Sequence, residues 1–353
     1  MALVPAGGSL RCRMRHPFQL LALVALAASA ATSAATSTAA APAEGASAAI
    51  CRELAGREAP DADRPTPAQL RALKGCDSES LYYGEKSAPD FSRARLCAFQ
   101  EDDAAAEGVF AGPTILMQLY ANGLGGVKRD LDLATAYACD IPGAPAEIDG
   151  RVQHLQALKK KPEARRFDYC DDITSGLAGG YCAARDATIA GKARSAKTDA
   201  IEARIAPAAK PAWAALRKAS AAFVDARGGE VDETGTARAQ LVIDEEEATR
   251  NAFTAHLGDL LEGRWPAAAT AADFDAADLA LNAAYKKALA HLGSKQNFTT
   301  VKPDDTRKAQ RAWIAYRDAF ARFAPVAVQG TDSRAVATRL TQERTKDLLD
   351  LAE

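Results

Sequence analysis

The chain has 353 residues, of which 48% are hydrophobic and 25% are charged, and its formal net charge is −2 at pH 7. Its 44 basic residues are outnumbered by 46 acidic ones and form no basic stripe, so nucleic acid is excluded as an expected partner. The chain is long enough for two or three domains, since a domain usually holds about 100–150 residues.

The first residues have the layout of a cleavable export signal. Three arginines, at positions 11, 13 and 15, precede an apolar run from Phe18 to Ala28, and small residues follow where signal peptidase cleaves. The run is about a dozen residues long, whereas a membrane-spanning helix needs roughly 20. We predict a signal peptide at residues 1–30, cleavage near Ala30, a periplasmic or secreted location, and no membrane insertion after cleavage.

The residues that follow the signal predict a mature chain that begins with a tether. Met1 and Met14 both fit as the translation start, since Met14 gives a conventionally short basic region, and the predicted location is the same for either. Removing residues 1–30 takes away three of the 44 basic residues and no acid, so 41 basic residues face 46 acidic ones, a net charge near −5. Residues 31–49 are almost entirely Ala, Ser and Thr, a composition typical of a disordered linker.

Six cysteines follow the predicted signal peptide, and all lie before Ala183. An even number of cysteines in an oxidising compartment favours disulfides over metal or thiol chemistry. The residues alone leave many pairings open. The disulfide candidates are Cys51, Cys76, Cys97, Cys139, Cys170 and Cys182.

Two helix pairs with the same order of features are predicted in the N-terminal half. Leu119 to Gly123 predicts the end of a helix and a glycine turn, and Asp130 is placed to cap the next helix. Earlier in the chain, Leu81 to Gly84 leads to Asp90 in the same order. The sequence therefore predicts two consecutive α/α hairpins.

This pattern resembles the SEL-type α/α repeats, relatives of the tetratricopeptide repeat, over roughly residues 70–140. In cysteine-rich members of that class, a Gly-Cys that opens the first helix pairs with a Cys that ends the second. Gly75-Cys76 and Cys97 match this arrangement, so the resemblance implies a Cys76–Cys97 disulfide.

The second hairpin has Gly112-Pro113 at the matching opening, so its Cys139 lacks the partner that the family supplies. We take Cys170–Cys182 as the local pair, with a turn predicted at Gly176 to Gly180 between them. Cys51–Cys139 is then the remaining pair, although other pairings of these four cysteines stay open.

The C-terminal half contains a second repetition. The segment from Trp213 to Ala219 aligns with that from Trp313 to Ala319, an offset of 100 residues, and each is followed by a phenylalanine and a glycine-containing break. Trp and Arg four residues apart share one helix face, where the guanidinium covers the indole. We interpret these pairs as core anchors rather than ligand contacts and predict a duplicated helical module.

Three motifs in the second copy are more specific. They are 277–285, 309–318 with its Ala-Gln-Arg-Ala-Trp core, and 340–344. In this order they resemble the LprI-type lysozyme inhibitor domain over about residues 270–350. Residues 183–262 show a weaker resemblance to the same domain. The residues that carry the resemblance, to which we assign mostly structural roles, are Asn282, Tyr285, Gln310, Arg311, Trp313, Arg317, Asp318, Glu343 and Arg344.

This chain departs from the LprI-type pattern in one respect. Family members often have a cysteine shortly after the Arg-Asp and another before the Leu-Thr, where this chain has Phe320-Ala321 and Val336. We expect apolar packing to replace that disulfide.

The predicted fold is all-α, with a short α/α repeat segment followed by two tandem helical LprI-like modules. The predicted divisions are a signal peptide at 1–30, a linker at 31–49, a disulfide-containing repeat domain at 50–165, a degenerate LprI-like module at 166–265 and an LprI-like domain at 266–353.

The resemblance implies protein binding outside the cytoplasm, and most specifically inhibition of a lysozyme-type cell-wall hydrolase. Lysozyme is basic and its cleft holds two working carboxylates, so an inhibitor gains from an acidic surface and a protruding loop. The candidate surface is Asp244, Glu245, Glu246 and Glu247, with Glu230, Asp232 and Glu233 just before it, although such a run is more typical of a solvated helix face. The candidate loop holds Gln329, Thr331, Asp332 and Ser333, although its pattern is more typical of an ordinary interhelical connection.

Two other functions stay open from the sequence. The first is a periplasmic scaffold or envelope-assembly factor, which would bind an envelope protein through the concave face of its repeats. The second, less favoured, is an unrecognised cell-wall hydrolase. The sequence has no His-Glu-x-x-His, Cys-x-x-Cys or Gly-x-Ser-x-Gly motif. We therefore predict no catalytic residues, metal site or cofactor, and a protein that is not an enzyme.

Overall fold

A computed structural model of the chain describes residues 47–104, 108–266 and 268–353. The predicted signal peptide and residues 31–46 of the predicted linker lie outside these ranges. The described residues form α-helices with short 3₁₀ turns and no strand, so the predicted all-α class is confirmed. The first helix begins at Ala48, so the last two residues assigned to the linker are helical.

The N-terminal half is a chain of short helices in which each helix from α3 onward packs against the next. Ser47, at the start of the described chain, is tied to α7 because its backbone N–H donates to Asp149 Oδ1 over 3.1 Å. The helices are α1 (Ala48–Leu54), α2 (Pro67–Ala72), α3 (Ser78–Tyr83), α4 (Phe91–Asp103), α5 (Gly112–Asn122), α6 (Leu131–Asp140) and α7 (Pro145–Lys160).

The turn between α5 and α6 shows why this sequence makes a hairpin. Gly123 adopts a left-handed conformation, with φ of 65°, which lets α5 end without the steric cost of a Cβ. Asp130 then caps α6 by accepting hydrogen bonds from the backbone N–H groups of Asp132 and Leu133. The glycine turn and the aspartate cap are confirmed, while assignment of these helices to SEL-type repeats stays a prediction.

Three disulfides staple this half of the molecule. Cys51–Cys139 joins α1 to α6, Cys76–Cys97 joins the start of α3 to α4, and Cys170–Cys182 joins the segment after α7 to the next long helix. These are the pairs named above. Buried residues from Ala59 to Cys182 form one hydrophobic cluster, which therefore extends beyond residue 165, where the predicted repeat domain ends.

The C-terminal half consists of six longer helices. α8 packs on α10, α9 on α12, and α11 on α13. Among the described residues, no helix has the length and apolar character needed to cross a bilayer. The helices are α8 (Gly176–Arg204), α9 (Lys210–Gly228), α10 (Arg238–Leu261), α11 (Ala271–Leu292), α12 (Pro303–Ala327) and α13 (Ser333–Asp350).

The turn predicted at Gly176 to Gly180 is wrong, because these glycines form the first turn and a half of α8. Ser175 caps the helix by accepting a hydrogen bond from the N–H of Ala178. Glycine is needed for a different reason: a Cβ on Gly176 would collide with the backbone carbonyl of Thr236. The glycines therefore allow close approach of the loop before α10.

The two helices that contain the repeated Trp motifs, α9 and α12, pack against each other in an antiparallel arrangement. Trp213 of α9 meets Phe323 near the end of α12, with ring centroids 5.4 Å apart, and Phe223 stacks on Tyr316 at 5.5 Å. Residues of both predicted modules consequently share one hydrophobic cluster. Phe320 and Val336, which stand near the positions where the resemblance expects cysteines, are fully buried in it.

Candidate functional site

A cleft of about 380 Å³ lies between α9, α10, α12 and α13. One part of its lining is aromatic, with Phe223, Phe253, Trp313 and Tyr316, and the rest is rich in charge. The acidic and basic lining residues come from three helices, and they are Arg227, Glu245, His256, Glu343, Arg344, Asp347 and Asp350. The cleft thus collects residues from both halves of the predicted duplication.

A fully buried ion pair includes Arg344, one of the residues that line this cleft. Arg344 of α13 donates from Nη2 to Glu230 Oε1 over 2.7 Å, and neither side chain is exposed to solvent. The second oxygen of Glu230 accepts from Arg227 at 2.6 Å, and Gln310 accepts from Arg344 Nε at 3.2 Å. One carboxylate after α9 therefore holds guanidinium groups from α9 and α13.

Asp347 lies at the edge of this network and is less well compensated. Its Oδ2 is 3.5 Å from Arg344 Nη1. Burial raises the pKa of Asp347, and the nearby Arg227 and Arg344 only partly oppose that effect. Burial also acts to lower the pKa of Arg227, but the charges of Glu230 and Glu245 outweigh it, so the pKa of Arg227 is raised.

A second polar cluster centres on His256 of α10. Its Nδ1 lies 3.0 Å from the hydroxyl of Tyr316 and its Nε2 lies 2.9 Å from Glu343 Oε2. The neutral tautomer that fits both contacts accepts from the tyrosine O–H and donates from Nε2 to the carboxylate. Glu343 also accepts from Arg339 at 3.0 Å.

This second cluster has the geometry of a clamp. Burial acts to raise the pKa of Glu343, but the contacts with His256 and Arg339 outweigh it and lower that pKa. Burial and the charge of Glu343 raise the pKa of Tyr316. Both ring nitrogens of His256 are bonded to side chains of other helices. The cluster therefore joins α10, α12 and α13.

The acidic run predicted as a partner surface is largely engaged within the protein. Only Asp244 is exposed, while the other three acids are partly buried. Their contacts link α8, α9 and α10 and leave little free negative charge. The ion pairs are Glu245 with Arg227, Glu246 with Arg250, and Glu247 with Arg194 and Arg250.

The loop between α12 and α13 is also partly committed to structure. Asp332 caps α13 by accepting from the N–H of Arg334 at 2.8 Å, and its other oxygen accepts from the N–H of Ala269 at 3.0 Å. Thr331 is partly buried, and only Gln329 and Ser333 of the four predicted contact residues are exposed. The loop lies apart from the cleft.

The remaining motif residues support the helices themselves. Arg317 lies 5.0 Å from the Trp313 ring centroid and pairs with Asp318, and Arg217 lies 6.0 Å from that of Trp213. The predicted cover of each indole by a guanidinium is confirmed. Three others lie outside the lining of the cleft: Asn282 bonds Asp278 within α11, Tyr285 packs on the core, and Arg311 is exposed.

Sequence reasoning missed the residues that the first module contributes to the cleft. His256, Arg227 and Glu230 belong to none of the motifs described in the sequence analysis. Their one signal is position, since Glu230 follows the Gly228-Gly229 break of the repeated pattern.

Comparison with known proteins adds one match. A family model described as "Lysozyme inhibitor LprI" matches residues 266–348, which run from just before α11 to near the end of α13 and cover less than half of the chain. No curated protein and no solved structure matches the chain. Within the described residues, no group of three or more His, Cys, Asp or Glu is placed to hold a metal ion.

Proposed function

We propose that this protein is exported and inhibits a lysozyme-type cell-wall hydrolase by binding it. The observation that carries the proposal is the match of residues 266–348 to the lysozyme inhibitor family model. Three disulfides support an oxidising location. The acidic balance of the chain favours a basic protein partner, because opposite net charges speed the encounter.

The cleft supports this function indirectly. Its buried pair between Glu230 and Arg344 and its clamp at His256 fix α13 against α9 and α10. A rigid surface loses less conformational entropy when it binds. The LprI-like helices are therefore held as a preorganised platform that carries the exposed loops between them.

Export is tested by cell fractionation. The protein is expected in the periplasmic or extracellular fraction, and mass spectrometry is expected to show a chain that begins at Ala31.

Inhibition is tested by a cell-wall lysis assay with hen-type lysozyme and the processed, oxidised protein. Dose-dependent loss of lysozyme activity is the expected result. An unchanged lysis rate at excess protein contradicts inhibition, and lysis by the protein alone identifies a hydrolase instead.

A matched variant asks whether the acidic run contributes. Because Glu245, Glu246 and Glu247 are already paired, replacing the exposed Asp244 by Lys is expected to change the association rate less than threefold, the small effect typical of one surface charge. A much larger loss would restore the acidic run as the main steering surface.

A further inference from the structure

The loop between α11 and α12 presents an aromatic side chain to solvent. This segment, residues 293–302, is called the 293–302 loop. Phe298 is 86% exposed, more than Leu279 at 74% or Leu177 at 71%. Exposure of a large aromatic ring to water is unfavourable, and Phe298 has the largest exposed fraction among the exposed large hydrophobic residues of the described chain.

The exposure of Phe298 does not come from a loose segment. Asn297 donates from Nδ2 to the carbonyls of Leu292 and Val301, over 2.9 and 3.0 Å, and so closes the loop on itself. Its Oδ1 accepts from the N–H and the hydroxyl of Thr299, at 3.0 and 2.7 Å. Val301 points inward and is 3% exposed. The neighbouring residues are therefore fixed while Phe298 faces outward.

The loop is also docked on the first module. The N–H of Thr300 donates to Asp232 Oδ1 over 2.9 Å, and the hydroxyl of Thr300 accepts from the N–H of Glu233 at 2.6 Å. Hydrogen bonds to Asp232 from Thr234 and Thr300 lower the pKa of that carboxyl, so it stays charged at neutral pH. The loop between α9 and α10 thus holds the 293–302 loop in place.

The charge of the loop differs from that of the chain. Residues 293–302 contain Lys295 and Lys302, both exposed, and no acid, whereas the chain as a whole is acidic. The exposed acids beside it are Glu233 on the neighbouring loop and Asp304 in the first turn of α12, which is paired with Arg307. A cationic loop with a protruding ring fits a concave surface that has both apolar walls and carboxylates.

We propose that the 293–302 loop is the inhibitory contact: Phe298 enters the substrate cleft of the hydrolase, and the flanking lysines face its catalytic carboxylates. The partner chemistry follows from the mechanism of glycosidases, whose clefts place two carboxyl groups about the scissile bond. The inference rests on the proposed function and assigns the contact to a loop distinct from both surfaces predicted from the sequence.

The central experiment measures inhibition of lysozyme by Phe298→Ser and Lys295→Gln variants of the full processed protein. Phe298→Ser removes the ring that the proposed contact buries in the complex, so it is expected to raise the inhibition constant at least tenfold. Lys295→Gln is expected to raise it several-fold. Leu279→Ser is the matched control, because Leu279 is also exposed and lies on α11 within the family match. That control is expected to inhibit like the parent protein.

The outcomes separate the two proposals. If the parent protein inhibits and Phe298→Ser inhibits equally well, the loop assignment falls and the proposed function stands. If the parent protein does not inhibit, both fall. Inhibition that is not competitive with a chitooligosaccharide overturns entry into the cleft, and a dimer of the parent protein that Phe298→Ser dissociates assigns the ring to self-association instead.

Discussion

The two halves of the described chain are both helical and rich in alanine, yet they fix their helices by different means. The N-terminal half has three disulfides within residues 51–182. The C-terminal half has no cysteine after Cys182 and uses packed aromatic rings together with the buried pair of Glu230 and Arg344. Short helices bury little surface and gain from covalent closure, whereas long helices present enough side chains to interlock.

Removal of the longest covalent link is expected to have the largest effect. Replacing Cys51 and Cys139 by Ala opens a link across 88 residues, which the chain-entropy account values at roughly 4–5 kcal/mol. All three tryptophans lie in the C-terminal half. In this variant the helical signal in far-UV circular dichroism should fall at a lower denaturant concentration than in the parent protein, while the tryptophan fluorescence still shows native emission.

The Cys170–Cys182 link provides the comparison for that experiment. It closes only 12 residues, so its removal by Ala substitutions is expected to cost less, roughly 3 kcal/mol. Equal losses for the two links, or simultaneous loss of tryptophan emission and helix, would show that the halves do not differ in the way described.

Disruption of the buried ion pair tests the C-terminal half in the converse way. Glu230→Gln removes the buried carboxylate that pairs with Arg344 and leaves Asp347, at 3.5 Å, as its remaining acidic partner, which is expected to cost about 3–4 kcal/mol. The measurement is guanidinium unfolding followed by tryptophan fluorescence. Combining Glu230→Leu with Arg344→Met should recover much of the loss, because apolar packing substitutes well for a buried pair; no recovery would locate the cost elsewhere.

The clamp at His256 gives the smallest expected effect and a characteristic pH dependence. The pKa of Glu343 is lowered from an ordinary 4.5, so its carboxylate stabilises the fold above that pH and loses this contribution as the pH falls through the folded-state pKa. Glu343→Gln should cost about 1 kcal/mol at pH 7, since the side chain is partly exposed. The difference from the parent protein should vanish in acid.

Asp347→Asn is the control of opposite sign for that series. The pKa of Asp347 is raised from 3.8, so the folded state binds its proton more readily and ionisation weakens the fold as the pH rises. The stability of the Asn variant relative to the parent protein should therefore rise as the pH increases from 3 to 7, as measured by thermal unfolding. Parallel curves for the two variants would contradict both assignments.

Local features of the fold followed from the sequence, and long-range ones did not. Gly123 and Asp130 act within a few residues of their own helices, so their roles were readable from spacing alone. The glycines from Gly176 onward were misjudged because the neighbour that requires them, Thr236, is distant in sequence. Glycine is required both where the backbone needs a left-handed conformation and where another segment approaches closely. The residue type alone does not distinguish these two causes.

The cleft was only half predictable for a similar reason. Trp313, Glu343 and Arg344 belong to a pattern that a family resemblance exposes. The residues that complete their contacts, Glu230 and His256, come from the other module and carry no motif of their own. Buried partners need complementary charge and geometry, and a linear pattern shows neither.

The buried contact between Glu230 and Arg344 also sets a limit on how the chain can be divided. A fragment cut at the start of the family match would keep Arg344 and lose Glu230, its countercharge at 2.7 Å. It would also uncover the face of α12 on which Trp213 rests. The segment that the family model matches therefore contains a buried charge and an apolar helix face whose partners lie before residue 266.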